Sequence, residues 1–358
     1  RWLRHCRGEC VSQAVKKIGI REVASRLGLS VSTVSRALNG YDDVNPATRE
    51  RVERTAVEMG YRASFAASNL RSSQTQNITF MVSKPWTKFV DPFFLSLLDG
   101  VELVLRAQGY DLNVVMARDY EKEIETIQNA VERKRCDGIL FGRTRPEDER
   151  ISFLQDRNFP FVTVGRTLED DHSWVDVDHV DIGYRATERL IQLGHTRIAH
   201  FVTPLRYTYS HHARKGYRQA LSDYGLPHEP ALEVECYLSR KTGGDAAREL
   251  LSLGQMPTAL YCSNDMIALS AIEALRRFNV HAGKDIAVIG SDDMPLASYV
   301  DPGLTTFRQD LDGMGMRMGQ MMLAMLSGVT EPQQQQIKAE LIVRGTDMPF
   351  ARKPGHEA

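Results

Sequence analysis

The chain has 358 residues, 42% of them hydrophobic and 25% charged, and a formal net charge of −1. Such a length and apolar content can build two or three domains with sizeable cores. No run approaches the roughly twenty apolar residues that span a bilayer, and no charged, apolar and small-residue series opens the chain, so a membrane or exported protein is not expected and the cytoplasm is.

Five cysteines (Cys6, Cys10, Cys136, Cys236 and Cys262) are odd in number, scattered and without a C-x-x-C pair. Neither a disulfide framework nor a zinc site is indicated, and reduced, mostly buried thiols are expected. The small net charge hides an asymmetry. Residues 1–73 carry 13 Lys and Arg against 7 Asp and Glu, a net of +6, while the remainder carries −7. A basic head on an acidic body suits a nucleic-acid-binding module joined to a domain of another purpose, although a chance excess of solvated arginines would give the same sum.

Residues 1–17 are expected to form a disordered extension. The first ten show no periodicity, and Val11, which opens VSQAVKK, is the expected translation start if a GTG codon is used. From Ile20, the run IREVASRL places Ile20, Val23, Ala24 and Leu27 on one helical face, with charges opposite. Gly28 then supplies a residue able to adopt positive φ, Leu29 can plug into the core, and Ser30 can cap a second helix reaching Leu38. That helix should bury Val34, Ala37 and Leu38 while Val31, Ser32, Ser35 and Arg36 look outward. A third helix is signalled by Asn45 as N-cap and Pro46 at the first helical position, ending at Met59-Gly60. Helix, Gly-containing turn and polar-fronted second helix form the geometry that enters a major groove, though a helical bundle with no ligand would show the same periodicity.

The residues REVASRLGLSVSTVSRALNG, followed by VNPATRERV and EMGY, resemble the DNA-binding head of the LacI/GalR family of bacterial repressors. The resemblance implies that Val31, Ser32 and Arg36 meet base edges, and that Ser30, Thr33, Ser35 and Asn39 fix phosphates or the helix register. The chemistry agrees: an arginine can grip guanine O6 and N7 in bidentate fashion, a valine can touch a thymine methyl, and hydroxyls serve bases or phosphates. Residues 18–62 are accordingly assigned to a helix-turn-helix domain and 63–76 to a hinge. In the family such a hinge pairs on DNA and wedges a leucine into the minor groove; Leu70 occupies that place, with Arg71 beside it for a phosphate. Ala63-Ser64 departs from the family's usual Pro-Asn, which implies a looser entry into the hinge.

Beyond residue 77, apolar β-like runs alternate with amphipathic helices. Strands are predicted over 78–82, 112–116, 138–141, 161–164, 174–177, 198–201, 233–236, 259–262, 286–290, 305–308 and 341–343. Helices are predicted over 92–108, 121–133, 181–193, 213–224, 244–253, 266–278 and 311–326. This alternation implies parallel sheets with helices on both faces, in two Rossmann-like lobes, and it places ligands outside the carboxyl ends of the strands. The segments DGIL, LIQLGHTRIAHF, CSNDMIALSA, VIGSDD and PGLTTFRQD are similar to the two-lobed periplasmic-binding-protein-like core of the same family. That resemblance implies one lobe from about 78–172 with part of 307–328, a second lobe from the remainder, and three strand crossings between them. Residues 77–350 are thus the effector-binding and dimerisation domain, with a tail at 351–358.

Matched residue by residue, the family's effector contacts fall on Phe93, Phe94, Arg214, Asn264, Asp292 and Gln309. An aromatic face for pyranose C–H groups, with a guanidinium, amides and a carboxylate for hydroxyls, suits a sugar. One of Phe93 and Phe94 is expected in the core, and Arg214 could equally be a surface helix arginine. Asp265 is read as a helix cap and Asp293 as a cap or solvent carboxylate. Trp174 and Arg166 lie near the predicted crossings.

The run GMGMRMG at 313–319 fails the dinucleotide pattern, because Met318 stands where G-x-G-x-x-G needs its last glycine and the run lies within a predicted helix. Met314, Met318, Met321, Met322 and Met325 instead read as an adaptable packing surface at a dimer interface. No nucleophile elbow or P-loop is present, His211-His212 has no metal partners in view, and Gln333–Gln336 reads as a loop after Pro332. No cofactor or metal is expected. The expected protein is therefore a homodimeric repressor that binds double-stranded, pseudo-palindromic operator DNA and leaves it when a sugar binds. A transport-type sugar-binding protein, which would lack the basic head, and an α/β enzyme, which would need an acid/base pair or cofactor loop, are the rivals.

Overall fold

A computed structural model describes residues 18–38, 40–61, 74–83, 92–169, 171–237 and 242–350. The chain divides into two compact units, residues 1–74 and 75–358.

The smaller unit is built from α1 (Ile20–Leu27), α2 (Val31–Leu38) and α3 (Pro46–Glu58). Gly28 ends α1 with φ +66°, Ser30 Oγ accepts the Thr33 N–H at 3.0 Å to start α2, and Asn45 Oδ1 accepts the Ala47 N–H at 2.9 Å to start α3. These are the caps that the sequence announces. Val23, Ala24, Val34, Ala37, Val44, Val52 and Ala56 form the core, ringed by half-buried Ile20, Leu27, Leu29 and Leu38. Each buried valine contributes about 1.5–3 kcal/mol, which is what holds helices too short to be stable alone.

The larger unit has two lobes. The first is a parallel sheet in the order β11-β5-β4-β3-β1-β2, formed by β1 (Asn77–Ser83), β2 (Asp111–Ala117), β3 (Gly138–Gly142), β4 (Phe161–Val164), β5 (Trp174–Val177) and β11 (Gln334–Ile337). The pleat sends alternate residues of β1 to opposite faces. Ile78, Phe80 and Val82 meet α4 (Pro92–Ala107) and α11 (Leu311–Leu326), while Met81 joins the core under α5 (Tyr120–Glu132) and α6 (Glu149–Asp156). The second lobe is a parallel sheet in the order β7-β6-β8-β9, from β6 (Ile198–Val202), β7 (Glu233–Glu235), β8 (Ala259–Cys262) and β9 (Ala287–Ile289). It packs between α7 (His179–Gln192) with α8 (Thr208–Asp223) and α9 (Gly243–Leu251) with α10 (Asp265–Arg276). An antiparallel pair, β10 (Thr306–Arg308) and β12 (Glu340–Ile342), is joined to β9 by the Ile289–Thr305 bridge.

The chain crosses between lobes three times: after β5, between β10 and α11, and between β11 and β12. The first lobe therefore reaches Val177 rather than about residue 172, and takes back 334–337. Gln334–Ile337 is an edge strand paired with Trp174–Val177, not the predicted loop, because an edge strand with one exposed and one half-buried face can carry polar side chains. Helix α6 was not foreseen at all. Met314, Met318, Met321 and Met322 are buried in the first-lobe core rather than in an interface surface.

Candidate effector cleft and nucleic-acid face

Strands β3, β5, β6, β7, β8 and β10 point their carboxyl ends at one cleft between the two lobes. The residue or two following each strand supplies its wall: Arg143, His179, Thr203, Tyr237, Ser263 with Asn264, and Gln309. Asp292 arrives three residues after β9, with φ +120°. A non-glycine residue in that region costs of order 1–3 kcal/mol, so the surrounding structure must hold it there. Two side chains do so: Asn264 Nδ2 donates to Asp292 Oδ2 at 2.5 Å and Gln309 Nε2 donates to Asp292 Oδ1 at 2.8 Å. Gln309 is 7% exposed, and its Oε1 finds no partner among the described residues. Acceptor oxygens are thus gathered at one end of the cleft.

The lining is also aromatic. Tyr207 and Tyr209 lie stacked with centroids 5.5 Å apart, Arg206 sits 5.1 Å from the Tyr207 ring, and Tyr237 adds a third phenol to the lining. Phe93 is half-buried in the lining, whereas Phe94 is 5% exposed and packs edge-on against Phe80, so it serves the core as well. His179 stands 3.6 Å from Asp176. Burial, with His212 and Arg166 nearby, pushes its pKa down to about 3, leaving a neutral imidazole. Together these groups can grip a molecule rich in hydroxyls with an apolar face. Among the described residues no cluster of His, Cys, Asp and Glu could hold a metal ion.

Of the six expected effector residues, Phe93, Phe94, Asn264, Asp292 and Gln309 meet in this cleft. Arg214 does not. Helix α8 begins at Thr208, five residues before the predicted start, so Arg214 falls in its second turn and faces Glu233 at 3.7 Å. The cap of α10 is Asn264, whose Oδ1 accepts the Met266 N–H at 2.9 Å. Asp265 is instead wholly buried and accepts from Thr306 and from the Met294 N–H. Asp293 is not a solvent carboxylate either: its side chain is 8% exposed and is clasped by Arg308 and Arg344. Arg166 stacks 5.1 Å over Trp174, outside the cleft lining. Arg143, Asp176, His179, Arg206, Tyr207, Tyr209 and Tyr237 were missed, although the rule that ligands sit beyond strand ends points to most of them.

On the smaller unit, Ser30, Val31, Ser32 and Arg36 are exposed and Thr33 is half-exposed along the start and outer face of α2. Ser35 is the exception. It is 6% exposed and turned into the head, because α2 packs against both other helices and buries a wider arc than its apolar spacing implies. Asn39, Leu70, Arg71 and the Ala63-Ser64 departure lie outside the described residues.

Comparison with known proteins agrees with both halves. Residues 19–64 match the model for bacterial regulatory proteins of the lacI family, and residues 187–346 match a periplasmic binding protein-like domain. The HTH-type transcriptional regulator CelR of Thermobifida fusca is 32% identical over 90% of this chain and 96% of its own length. Among solved structures, a CelR–cellobiose complex is 30% identical with a TM-score of 0.72, covering 92% of this chain and all of that one. The lac repressor dimer bound to operator and the anti-inducer ONPF is 25% identical with a TM-score of 0.82, covering 93% of this chain and all of that one.

Proposed function

Since the chain belongs to the LacI family of bacterial transcription regulators, we propose that it is a cytoplasmic repressor of sugar-metabolism genes, freed from its operator when a small saccharide fills the cleft. The observation that carries the sugar half is the acceptor cluster. Gln309 Oε1, buried and without a partner among the described residues, calls for a donor from a ligand beside the Asp292 carboxylate, and a hydroxyl there would leave pyranose C–H groups for the tyrosines of the lining. A relative that holds cellobiose in the same fold supports this class of ligand.

The DNA half rests on α2. Val31, Ser32 and Arg36 read base edges in a major groove, Ser30, Thr33 and Asn39 hold phosphates or register, and Ser35, being buried, contributes to the head's packing before any phosphate contact. Leu70 enters the central minor groove and Arg71 meets a phosphate beside it. Two heads on one pseudo-palindrome require a homodimer. Leu103 and Met316, 61% and 37% exposed, border an apolar groove between α4 and α11 that a second copy can cover.

Sugar and operator then compete by linkage: the sugar favours one lobe arrangement and the operator the other. The test is a thermal-shift screen of the full chain against a sugar panel, repeated as an operator-binding titration. The cognate sugar should raise the melting temperature and weaken operator binding by about 5- to 150-fold. If no sugar does both, the saccharide reading fails.

A further inference from the structure

The guanidinium of Arg36 is held by a carboxylate. Nε of Arg36 donates to Asp43 Oδ1 at 3.2 Å and Nη2 donates to Asp43 Oδ2, a side-on, two-point pairing, with the Tyr41 ring 5.2 Å from the guanidinium carbon. Asp43 lies in the turn between α2 and α3, and the fold fixes that turn. The Tyr41 N–H donates to the Arg36 carbonyl at 3.1 Å, the Val44 N–H to the Tyr41 carbonyl at 3.2 Å, and Arg49 Nη2 to the same Tyr41 carbonyl at 2.7 Å, while Val44 is buried in the head core. Asp43 is therefore delivered to Arg36 by the backbone and does not meet it through a freely swinging loop.

Both partners are about half exposed, so the pair adds little to stability. On a face that meets DNA, a carboxylate also weakens attraction to phosphates whatever the base sequence. What remains is geometry. A guanidinium has five donors in a fixed fork; with Nε and one Nη2 hydrogen taken by Asp43, the end edge formed by Nη1 and the second Nη2 hydrogen is not engaged by that carboxylate, and the side chain is half exposed.

From this we infer that Asp43 is a positioning residue for operator recognition: it locks Arg36 so that the end edge of its guanidinium is presented to O6 and N7 of one guanine per half-site, trading general affinity for discrimination. The inference rests on the base-reading role of Arg36. It makes the head more selective than its net positive charge implies.

The experiment begins with the full-length protein selecting its preferred duplex from a randomised palindromic pool. Each half-site position is then substituted singly, and binding is measured for wild type, Asp43→Asn, Asp43→Glu and Arg36→Ala. Wild type should prefer guanine at one position by roughly tenfold or more. Asp43→Asn should lose most of that preference at this position alone while binding random duplex several-fold tighter, and Asp43→Glu should regain part of the preference. Full guanine preference in Asp43→Asn, with the preference lost in Arg36→Ala, would overturn the positioning role. Full preference in Arg36→Ala as well would overturn the base-reading role of Arg36, and this inference with it.

Discussion

Gln309 gives a side-chain N–H to Oδ1 of Asp292 at 2.8 Å and keeps its own carbonyl oxygen buried without a partner among the described residues. The Gln309 oxygen is a preorganised acceptor beside the Asp292 carboxylate that a ligand hydroxyl can fill. Replacing Gln309 with Met removes that acceptor together with the N–H that holds Asp292, and should weaken the cognate sugar about 3- to 10-fold. Asp292→Ala removes a charged acceptor and should weaken it about 10- to 100-fold. Calorimetry gives both constants, and operator affinity without sugar should change little in either variant. Sugar binding of wild-type strength in Asp292→Ala would place the effector elsewhere.

The glycines of the run at 313–319 have a mechanical purpose. A Cβ on Gly315 would lie 2.2 Å from the Leu97 carbonyl oxygen and 3.1 Å from Gly100 Cα, so α4 and α11 touch backbone to backbone. Gly315→Ala must push them apart, and overpacking of this kind costs about 1–3 kcal/mol. Gly254→Ala is the control, since nothing lies within 4 Å of its added Cβ, and it should stay within about 0.5 kcal/mol of wild type. Urea unfolding of the two variants side by side decides whether that helix contact is as tight as described.

These contrasts also show where sequence patterns stop. Caps are local chemistry, so Gly28, Ser30, Asn45 and Pro46 announced the helices of the head correctly. Apolar strands buried on both faces were visible as runs. Gln334–Ile337 was not, because an edge strand can satisfy its neighbour through backbone alone. Arg214, matched to an effector contact by resemblance with a surface helix arginine as the alternative, lies on α8 at 3.7 Å from Glu233, a partner distant in sequence that a local pattern does not show. Asp265 and Asp293 were misread since their partners, Thr306, Arg308 and Arg344, come from segments distant in sequence, and local reading sees only a helix ahead.

Histidines held neutral by burial set the acid response. Burial pushes His172 down to about 4 and His200 to about 3, so both remain neutral in the folded chain. Unfolding lets them take protons near their ordinary pKa of about 6.5. Their contribution is therefore present above about pH 6.5 and lost as pH falls toward 4. Asp265 acts in the opposite sense: burial raises it to about 7, so its protonated form favours the folded state as pH drops through that value. His179 at about 3 and His212 at about 4 act in the same sense as His172 and His200, so four histidines against one carboxyl leave a net loss of about 4 kcal/mol per pH unit at most between pH 6.5 and 4. His200 stacks between Tyr261 and Tyr217 at 4.7 and 4.8 Å, which makes His200→Phe a tolerable replacement. Urea midpoints measured from pH 5 to 7 should slope upward in wild type and less steeply in that variant; an unchanged slope would show that His200 makes no contribution.

Arg150 ties the core of the first lobe to the cleft. Its side chain is 1% exposed, donates to both carboxylate oxygens of Asp148 at 2.9 and 2.7 Å and to Glu123 at 2.5 Å, and reaches the Arg143 carbonyl at 3.1 Å. Arg143 in turn lines the cleft with its guanidinium 5.3 Å from the Phe94 ring. Arg150→Met strands two buried carboxylates and should cost about 3–5 kcal/mol. Adding Asp148→Asn and Glu123→Gln removes the stranded charges and should recover part of that loss, even though the original ion pairs are still absent. Because the Arg143 backbone loses its hydrogen bond in both variants, sugar affinity should stay reduced in the triple variant after stability has partly returned. Unfolding and calorimetry on the same samples separate the two effects, and a triple variant with wild-type sugar affinity would show that the grip on Arg143 serves stability alone.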